Sequence, residues 1–137
     1  MAVMTQIEME EFLDRKLVTT LITLRADGSP HASPMWYLHK DGKFYSRCSS
    51  SSLKVKNIKR DPRVTLCVCI HDMPYKSVVV DGICEIIEGE DRSKWPLISA
   101  KYLGKEKGKA YSNSNARRGN SVLLVISPKR IVTDNRI

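Results

Sequence analysis

Short segments rich in β-branched and aromatic residues, separated by tight-turn sequences, are the feature that most restricts how this chain can fold. Residues 18–25 lead into the sequence ADGS, and residues 31–39 lead into KDG. Turns this short join antiparallel strands, because parallel strands need a crossover of about a dozen residues or more. The first part of the chain is therefore predicted to form an antiparallel meander.

The later strand candidates are denser in valine, isoleucine and leucine, and few helical segments interrupt them. Asp81-Gly82 lies inside one of them, and because apolar residues continue on both sides we expect a β-bulge there. Mostly consecutive strands with few helices favour a closed or half-open antiparallel barrel. The later strands are predicted at residues 43–47, 64–70, 77–87 and 121–126, with residues 128–133 extending the last one.

Four segments lack the strand pattern. A capping box at residues 5–8 predicts a short helix that ends near Leu13. A second helix is predicted over residues 53–60, with a serine as its N-cap and an Asp-Pro pair at its end. Residues 91–103 are predicted to form a third helix. Residues 105–120 are polar and basic, and are predicted to be mobile.

The length of 137 residues fits one domain, residues 1–137. No apolar run approaches the roughly 20 residues that cross a bilayer. The first residues carry acids where a secretory signal would carry bases, so a cytoplasmic protein without a membrane partner is expected. The four cysteines form no C-x-x-C pair, so no metal site is expected, and Cys67 and Cys69 are interpreted as core thiols.

The net charge of +8 indicates an anionic partner, either a nucleic acid or a phosphorylated small molecule. Many of the bases lie within residues 46–63, where Asp61 is the only acid. Four serines, residues 49–52, precede the second predicted helix, and Lys54 lies in its first turn. Free N–H groups at a helix start, serine hydroxyls and a lysine together suit a phosphate. A solvated basic helix explains the local composition equally well.

Three stretches of the chain together resemble a known family. They are TLITLRADGSPHASPMWYLHKDGKFYS, SSSSLKVKNIKRDPRVTLCV and MPYKSVVVDGICEI. In order and spacing they resemble the pyridoxamine-phosphate-oxidase-like split-barrel flavoproteins, in particular the branch that uses FMN or the deazaflavin coenzyme F-420. The resemblance implies a mainly β fold, an FMN-binding split barrel of six antiparallel strands with Greek-key-like order.

The resemblance also implies a homodimer whose two cofactor sites lie at the subunit interface. Residues 33–36 and 45–47 would line the ring of the cofactor, and residues 71–75 would approach from the other subunit. The implied cofactor-binding residues are Ser33, Pro34, Met35, Trp36, Tyr45, Ser46, Arg47, Ser51, Ser52, Lys54, Lys56 and Tyr75.

One departure from the family pattern concerns the phosphate. Many relatives have arginine where this chain has Ser52 or Leu53. We therefore expect either a lower phosphate affinity or a charge supplied by Arg47 or Lys56 instead.

The function implied is that of an oxidoreductase that passes hydride between F-420 or FMN and a small organic substrate. The sequence offers no Ser-His-Asp or paired-carboxylate arrangement, so no catalytic residue is assigned, and the cofactor is expected to supply the chemistry. The KVKNIKRDPRV block and the positive charge favour F-420, with FMN as the alternative. A non-catalytic carrier or sensor fits the same residues. Nucleic-acid binding is disfavoured, because no aromatic-basic or recognition-helix motif accompanies the charge.

Overall fold

The computed structural model describes residues 3–89, 94–116 and 120–135. Within these residues the chain forms four helices and seven strands. The helices are α1 (Gln6–Leu13), α2 (Leu53–Arg60), α3 (Trp95–Leu103) and α4 (Lys105–Ala116). The strands are β1 (Thr19–Leu24), β2 (Pro30–Met35), β3 (Leu38–Lys40), β4 (Lys43–Ser49), β5 (Arg63–Cys69), β6 (Ser77–Ile87) and β7 (Ser121–Asp134). No helix in this part of the chain is long and apolar enough to span a bilayer.

β2 and β3 lie at opposite edges of one antiparallel sheet, although only Trp36 and Tyr37 separate them along the chain. The sheet order is β2-β1-β5-β6-β7-β4-β3. If the sheet were flat, its edges would lie about 29 Å apart, at about 4.8 Å per strand. The chain from Met35 to Leu38 can reach at most about 11 Å. The sheet must therefore curl until its two edges approach each other, which produces a split barrel.

The predicted fold class is confirmed, and one predicted strand is divided in the structure. The strand expected over residues 31–39 is two strands, because the chain leaves one edge of the sheet at Met35 and enters the other edge at Leu38. The described residues accordingly form seven strands, whereas six were predicted.

The barrel interior is filled by alternate residues of each strand. In β5, Val64, Leu66 and Val68 are buried, while Cys67 and Cys69 point to the outer face. The interpretation of these two cysteines as core thiols was therefore wrong, because the strand alternation places valine and leucine inside instead. The interior cluster includes Leu21, Met35, Phe44, Leu66, Val68, Val78, Val80, Leu124 and Ile126, with Leu13 of α1 and Val55 of α2 packed against it.

The predicted capping box begins α1 and fixes its position. The Thr5 N–H donates to Glu8 Oε1 at 3.0 Å, and the Glu8 N–H donates to Thr5 Oγ1 at 3.1 Å. Hydrogen bonding of the Glu8 carboxyl with the backbone and side chain of Thr5 lowers the pKa of that carboxyl. The preceding Met4 N–H donates to Thr133 Oγ1 at 2.9 Å, so the helix start is tied to the end of β7.

The polar stretch predicted to be mobile instead begins with a helix, α4 at Lys105–Ala116. This helix packs closely on α3, since a Cβ atom placed on Gly108 would lie 2.7 Å from the backbone nitrogen of Ala100. Tertiary packing thus overrides a sequence of low apolar content. The third predicted helix is confirmed from Trp95 onward, and its expected first residues lie partly outside the described residues.

The predicted bulge is present in β6, where the register with β7 shifts between Asp81 and Gly82. A Cβ atom on Gly82 would lie 2.6 Å from the carbonyl oxygen of Ser127. The Asp81 carboxylate accepts hydrogen bonds from Thr65 Oγ1 at 2.7 Å and from the Arg130 guanidinium at 2.6 Å. The bulge therefore requires glycine at residue 82, because a side chain there would collide with the backbone of β7. The polar contacts of Asp81 flank the bulge on the outer face.

The replacement Gly82→Ala is expected to destabilise the protein by about 1–3 kcal/mol, because two backbones would have to move apart. The matched control is Gly28→Asn, where φ is +85° but no atom lies within 4 Å of an added Cβ. Asparagine tolerates this left-handed conformation, so the control is expected to lose less. Urea unfolding midpoints measure both variants. Equal losses would show that close approach at Gly82 is not the limiting factor.

Candidate functional site

The outer face of the sheet has a covered part and an open part. The covered part belongs to β4 and the first half of β7, where Tyr45 pairs with Val125 and Arg47 pairs with Leu123. There α3 packs through the buried Ile98 and forms a second apolar cluster with these strands. The open part is formed by β2, β1, β5, β6 and the second half of β7.

The serine loop, residues 49–52, connects the end of β4 to the start of α2. Its hydroxyls bond to one another and to the loop backbone: Ser49 Oγ lies 3.0 Å from Ser51 Oγ. Ser52 Oγ donates to the Ser49 carbonyl at 2.8 Å. Ser49 and Ser51 are exposed, whereas Ser52 is half-buried against Cys48. The loop therefore presents the hydroxyls of Ser49 and Ser51 to solvent.

The start of α2 has donors but no side-chain cap. Ser52 occupies the N-cap position with φ −68° and ψ 153°, yet its hydroxyl bonds back to the loop instead of to the helix. The first turn contains no acid, and Lys54 lies within it, half-buried. A helix start of this kind carries partial positive charge in addition to the lysine.

A buried hydrogen-bond network fixes α2 on the barrel. Asn57 is 1 % exposed, and its Nδ2 donates to Thr23 Oγ1 of β1 at 3.0 Å. Its Oδ1 accepts from the Arg60 guanidinium at 3.0 Å, and the same guanidinium donates to the Leu24 carbonyl at 2.7 Å. Because a buried amide is costly to leave unsatisfied, this network holds the second half of α2 in a defined place on β1.

Two basic side chains lie over aromatic rings on the covered part of the outer face. The Arg47 guanidinium carbon lies 4.5 Å from the centre of the Trp95 ring, and Lys94 Nζ lies 5.1 Å from the centre of the Tyr45 ring. Arg47 precedes the exposed Ser49 by two residues on the same face of β4. The strand thus directs a guanidinium and a serine hydroxyl to one side, next to the serine loop.

Trp36 lies on the chain corner between β2 and β3, under the α3–α4 hairpin. Its ring stacks on Tyr102 with centroids 4.7 Å apart and planes within 6°. Tyr111 of α4 also contacts it, with centroids 5.7 Å apart. The Trp36 carbonyl accepts a hydrogen bond of 2.5 Å from Ser46 Oγ, which lies inside the barrel. The corner is therefore held from the inside by Ser46 and from the outside by α3.

The predicted cofactor residues do not all lie on one face. Met35 and Ser46 are buried inside the barrel, 3.8 Å apart at their side-chain sulfur and oxygen. Ser33 is half-buried on the inner side of the edge strand, and Pro34 is exposed on its outer side. Their direct contact with a ring remains a prediction. Tyr45 and Arg47 lie on the outer face of β4 and Trp36 lies at the corner before β3, whereas Ser51, Ser52 and Lys54 lie at the start of α2, with Lys56 exposed further along that helix.

Tyr75 lies at the other end of the sheet. It precedes Ser77, which pairs with Asp134 at the end of β7, whereas Ser49 pairs with Ser121 at its beginning. The 14 residues of β7 therefore separate Tyr75 from the serine loop within one chain. Tyr75 is 53 % exposed. Its prediction as a cofactor residue thus requires a second copy of the chain.

Sequence reasoning missed two aromatic residues that the structure places beside predicted site residues: Trp95 lies against Arg47, and Tyr102 stacks on Trp36. The positions of Trp95 and Tyr102 depend on how α3 docks on the sheet, which the local pattern does not contain.

The comparisons with known proteins now decide the family. The sequence profile described as pyridoxamine 5'-phosphate oxidase matches residues 5–133. The chain belongs to this family. Among curated protein sequences, none matches the chain significantly.

Solved structures of other proteins share the fold of this chain. A conserved hypothetical protein of Mycobacterium tuberculosis is 26% identical, with a TM-score of 0.83 over 97% of this chain and 86% of that one. A protein named F420 reductase is 24% identical, with a TM-score of 0.72 over 90% and 94% of the two chains. A FAD-binding protein of Mesorhizobium loti is 23% identical, with a TM-score of 0.67 over 96% and 93%. Because these last two proteins are less than 25% identical to this chain, the comparison with them shows only a shared fold.

The candidate site of this family member contains no metal-ligand cluster among residues 3–89, 94–116 and 120–135. Cys48 borders the serine loop, and burial raises the pKa of its thiol. Burial also raises the pKa of Cys67, and that of Cys84 to about 12. A thiol with a raised pKa holds less of the reactive thiolate at neutral pH.

The rate at which each cysteine is labelled by a thiol reagent is expected to follow its exposure. At pH 8 the exposed Cys69 should react fastest with a disulfide reagent, Cys48 and Cys67 more slowly, and the buried Cys84 slowest. Reagent absorbance followed by peptide mass mapping measures each rate. In denaturant the four rates should converge, which serves as the control. Labelling of Cys84 as fast as Cys69 in the folded protein would contradict the described burial.

Proposed function

We propose that this chain is an oxidoreductase that binds F-420 or FMN beside the serine loop and transfers hydride between that cofactor and a small organic substrate. The observation that carries the proposal is the start of α2. It is uncapped by any described side chain and free of acids, and it lies next to Lys54 and the exposed hydroxyls of Ser49 and Ser51.

The donor set at the start of α2 fits a phosphate group. Serine hydroxyls and helix N–H groups donate hydrogen bonds, and Lys54 adds a full positive charge. Arg47 lies on the same outer face and offers the guanidinium that many relatives place in the loop itself. This supports the expectation that Arg47 compensates for Ser52 and Leu53.

The aromatic residues at the corner fit a planar ring. Trp36 and Tyr45 lie on the same side of the sheet as Arg47, and both are half-buried. Large aromatic rings contribute apolar area and stacking without a further charge. When bound, F-420 or FMN supplies the hydride chemistry, while these side chains bind and orient it. The names F420 reductase and FAD-binding protein among the structural neighbours are in line with this proposal.

A homodimer would complete the site. The open part of the outer face presents apolar side chains to solvent, including Ile83 and Val132 at 37% and 40% exposure. Pairing of β1 with β2 and β5 places Pro34, Thr20 and Cys67 in one row across this face. A second copy of the chain covering this face would bury that surface, and could bring Tyr75 to the serine loop of its partner.

Cofactor titration tests the proposal directly. Purified protein is mixed with FMN and with F-420, and binding is followed by cofactor fluorescence. We expect saturable binding of at least one, and faster oxidation of the reduced cofactor by an artificial electron acceptor than without protein. Binding without any acceleration would favour the carrier function, and binding of neither would refute the proposal.

Replacing Lys54 with Ala is expected to weaken cofactor binding about tenfold to a hundredfold. One charge-assisted hydrogen bond contributes about 1.5–3 kcal/mol, which corresponds to this range. The matched control is Lys59→Ala, which removes the same charge from the last turn of the same helix, where Lys59 pairs with Glu88 at 2.8 Å. Equal small losses in both variants would mean that the phosphate does not bind at the start of α2.

Light scattering at micromolar concentration is expected to give the mass of a dimer. In a dimer covering the open face, Val132→Lys should shift the equilibrium toward monomer, because it places a charge on an apolar contact. Lys105→Glu on the exposed start of α4 is the control. A monomeric wild type would remove the second copy from the proposed site.

A further inference from the structure

The carbonyl of Leu13 at the end of α1 attracts two donors from distant parts of the chain. The last carbonyls of a helix have no partner within it. Tyr37 Oη donates to the Leu13 carbonyl at 2.8 Å, and Lys101 Nζ donates to it at 3.0 Å. The last turn of α1 contains no base of its own, so Lys101 of α3 supplies the positive charge that a helix C-terminus favours.

Lys101 also bonds to the main chain of the corner between β2 and β3. Its Nζ donates to the Tyr37 carbonyl at 3.1 Å and lies 3.6 Å from the centre of the Tyr37 ring. Burial lowers the pKa of this amine to about 8. A neutral amine retains two N–H groups, which suffice for the carbonyls of Leu13 and Tyr37. The two hydrogen bonds of Lys101 therefore do not depend on its charge alone.

Tyr102, the next residue, bonds to the same corner through its hydroxyl. Tyr102 Oη accepts a hydrogen bond from the Tyr37 N–H at 3.1 Å and donates to the Leu17 carbonyl at 2.6 Å. The ring of the same side chain stacks on Trp36 at 4.7 Å, almost parallel to it. One side chain therefore fixes both the backbone of the corner and the plane of the Trp36 indole.

We propose that Lys101 and Tyr102 are positioning residues that hold Trp36 in the orientation in which it receives the cofactor ring. This inference rests on the proposed function in taking Trp36 as a ring contact. The geometry that supports it is the shared target: both side chains bond to the main chain of Tyr37, the residue after Trp36, from the same helix.

Coupling between the two residues tests the proposal. Cofactor affinity is measured for Trp36→Leu, for Tyr102→Leu and for the double variant. We expect each single variant to lose about tenfold, and the double variant to lose no more than Trp36→Leu alone, because Tyr102 acts through Trp36. Losses that multiply in the double variant would overturn the proposal. Tyr102→Phe, which keeps the stack and lacks the hydroxyl, should retain part of the affinity and covers the case in which the leucine variant fails to fold.

A second readout needs no cofactor. The chain has two tryptophans, so Trp95→Phe leaves Trp36 as the single emitter. In that background, Lys101→Met and Tyr102→Phe are expected to raise acrylamide quenching of Trp36 about twofold, whereas Lys105→Met, at an exposed position, should not. Unchanged quenching in the first two variants would overturn the positioning role. If the wild type binds neither cofactor, the proposed function fails, and the quenching result still decides whether the corner is held as described.

Discussion

The structure depends on a length constraint at the corner between β2 and β3. Two residues connect the opposite edges of a seven-stranded sheet, so the sheet can exist only in a curled form. Two hydrogen bonds hold this corner in place: Ser46 donates to the Trp36 carbonyl from within the barrel, and Lys101 of α3 donates to the Tyr37 carbonyl. The same corner carries Trp36. The element that closes the barrel and the candidate ring contact are therefore one segment.

Local patterns were sufficient where the physical cause is local. The capping box and the bulge at Asp81-Gly82 both follow from short-range chemistry, and both are present. The helical state of residues 105–116 and the outward direction of Cys67 were not predictable in this way. The first depends on close contact with α3, and the second on which of two alternating sets the barrel interior accepts.

In the candidate site, too, the features that could be predicted are those that depend on residues close together in sequence. Lys54 and the serines are neighbours in sequence, so their clustering at a helix start could be predicted from the chain alone. The burial of Met35 and Ser46 could not, since adjacent residues of a strand face opposite sides and one register step decides which is which. Tyr102 carries no sequence signal for its role, because 65 residues separate it from Tyr37 along the chain.

The position of β7 has a consequence for how the protein is made. This strand lies between β6 and β4 and also provides Thr133, which anchors the segment before α1. A ribosome synthesises it after every other described strand. Until then the β3–β4 hairpin has no place in the sheet, and one edge of β6 remains unpaired. From the synthesis of β6 until that of β7, one edge of β6 and one edge of β4 therefore lack their partner strand, and unpaired strand edges favour aggregation.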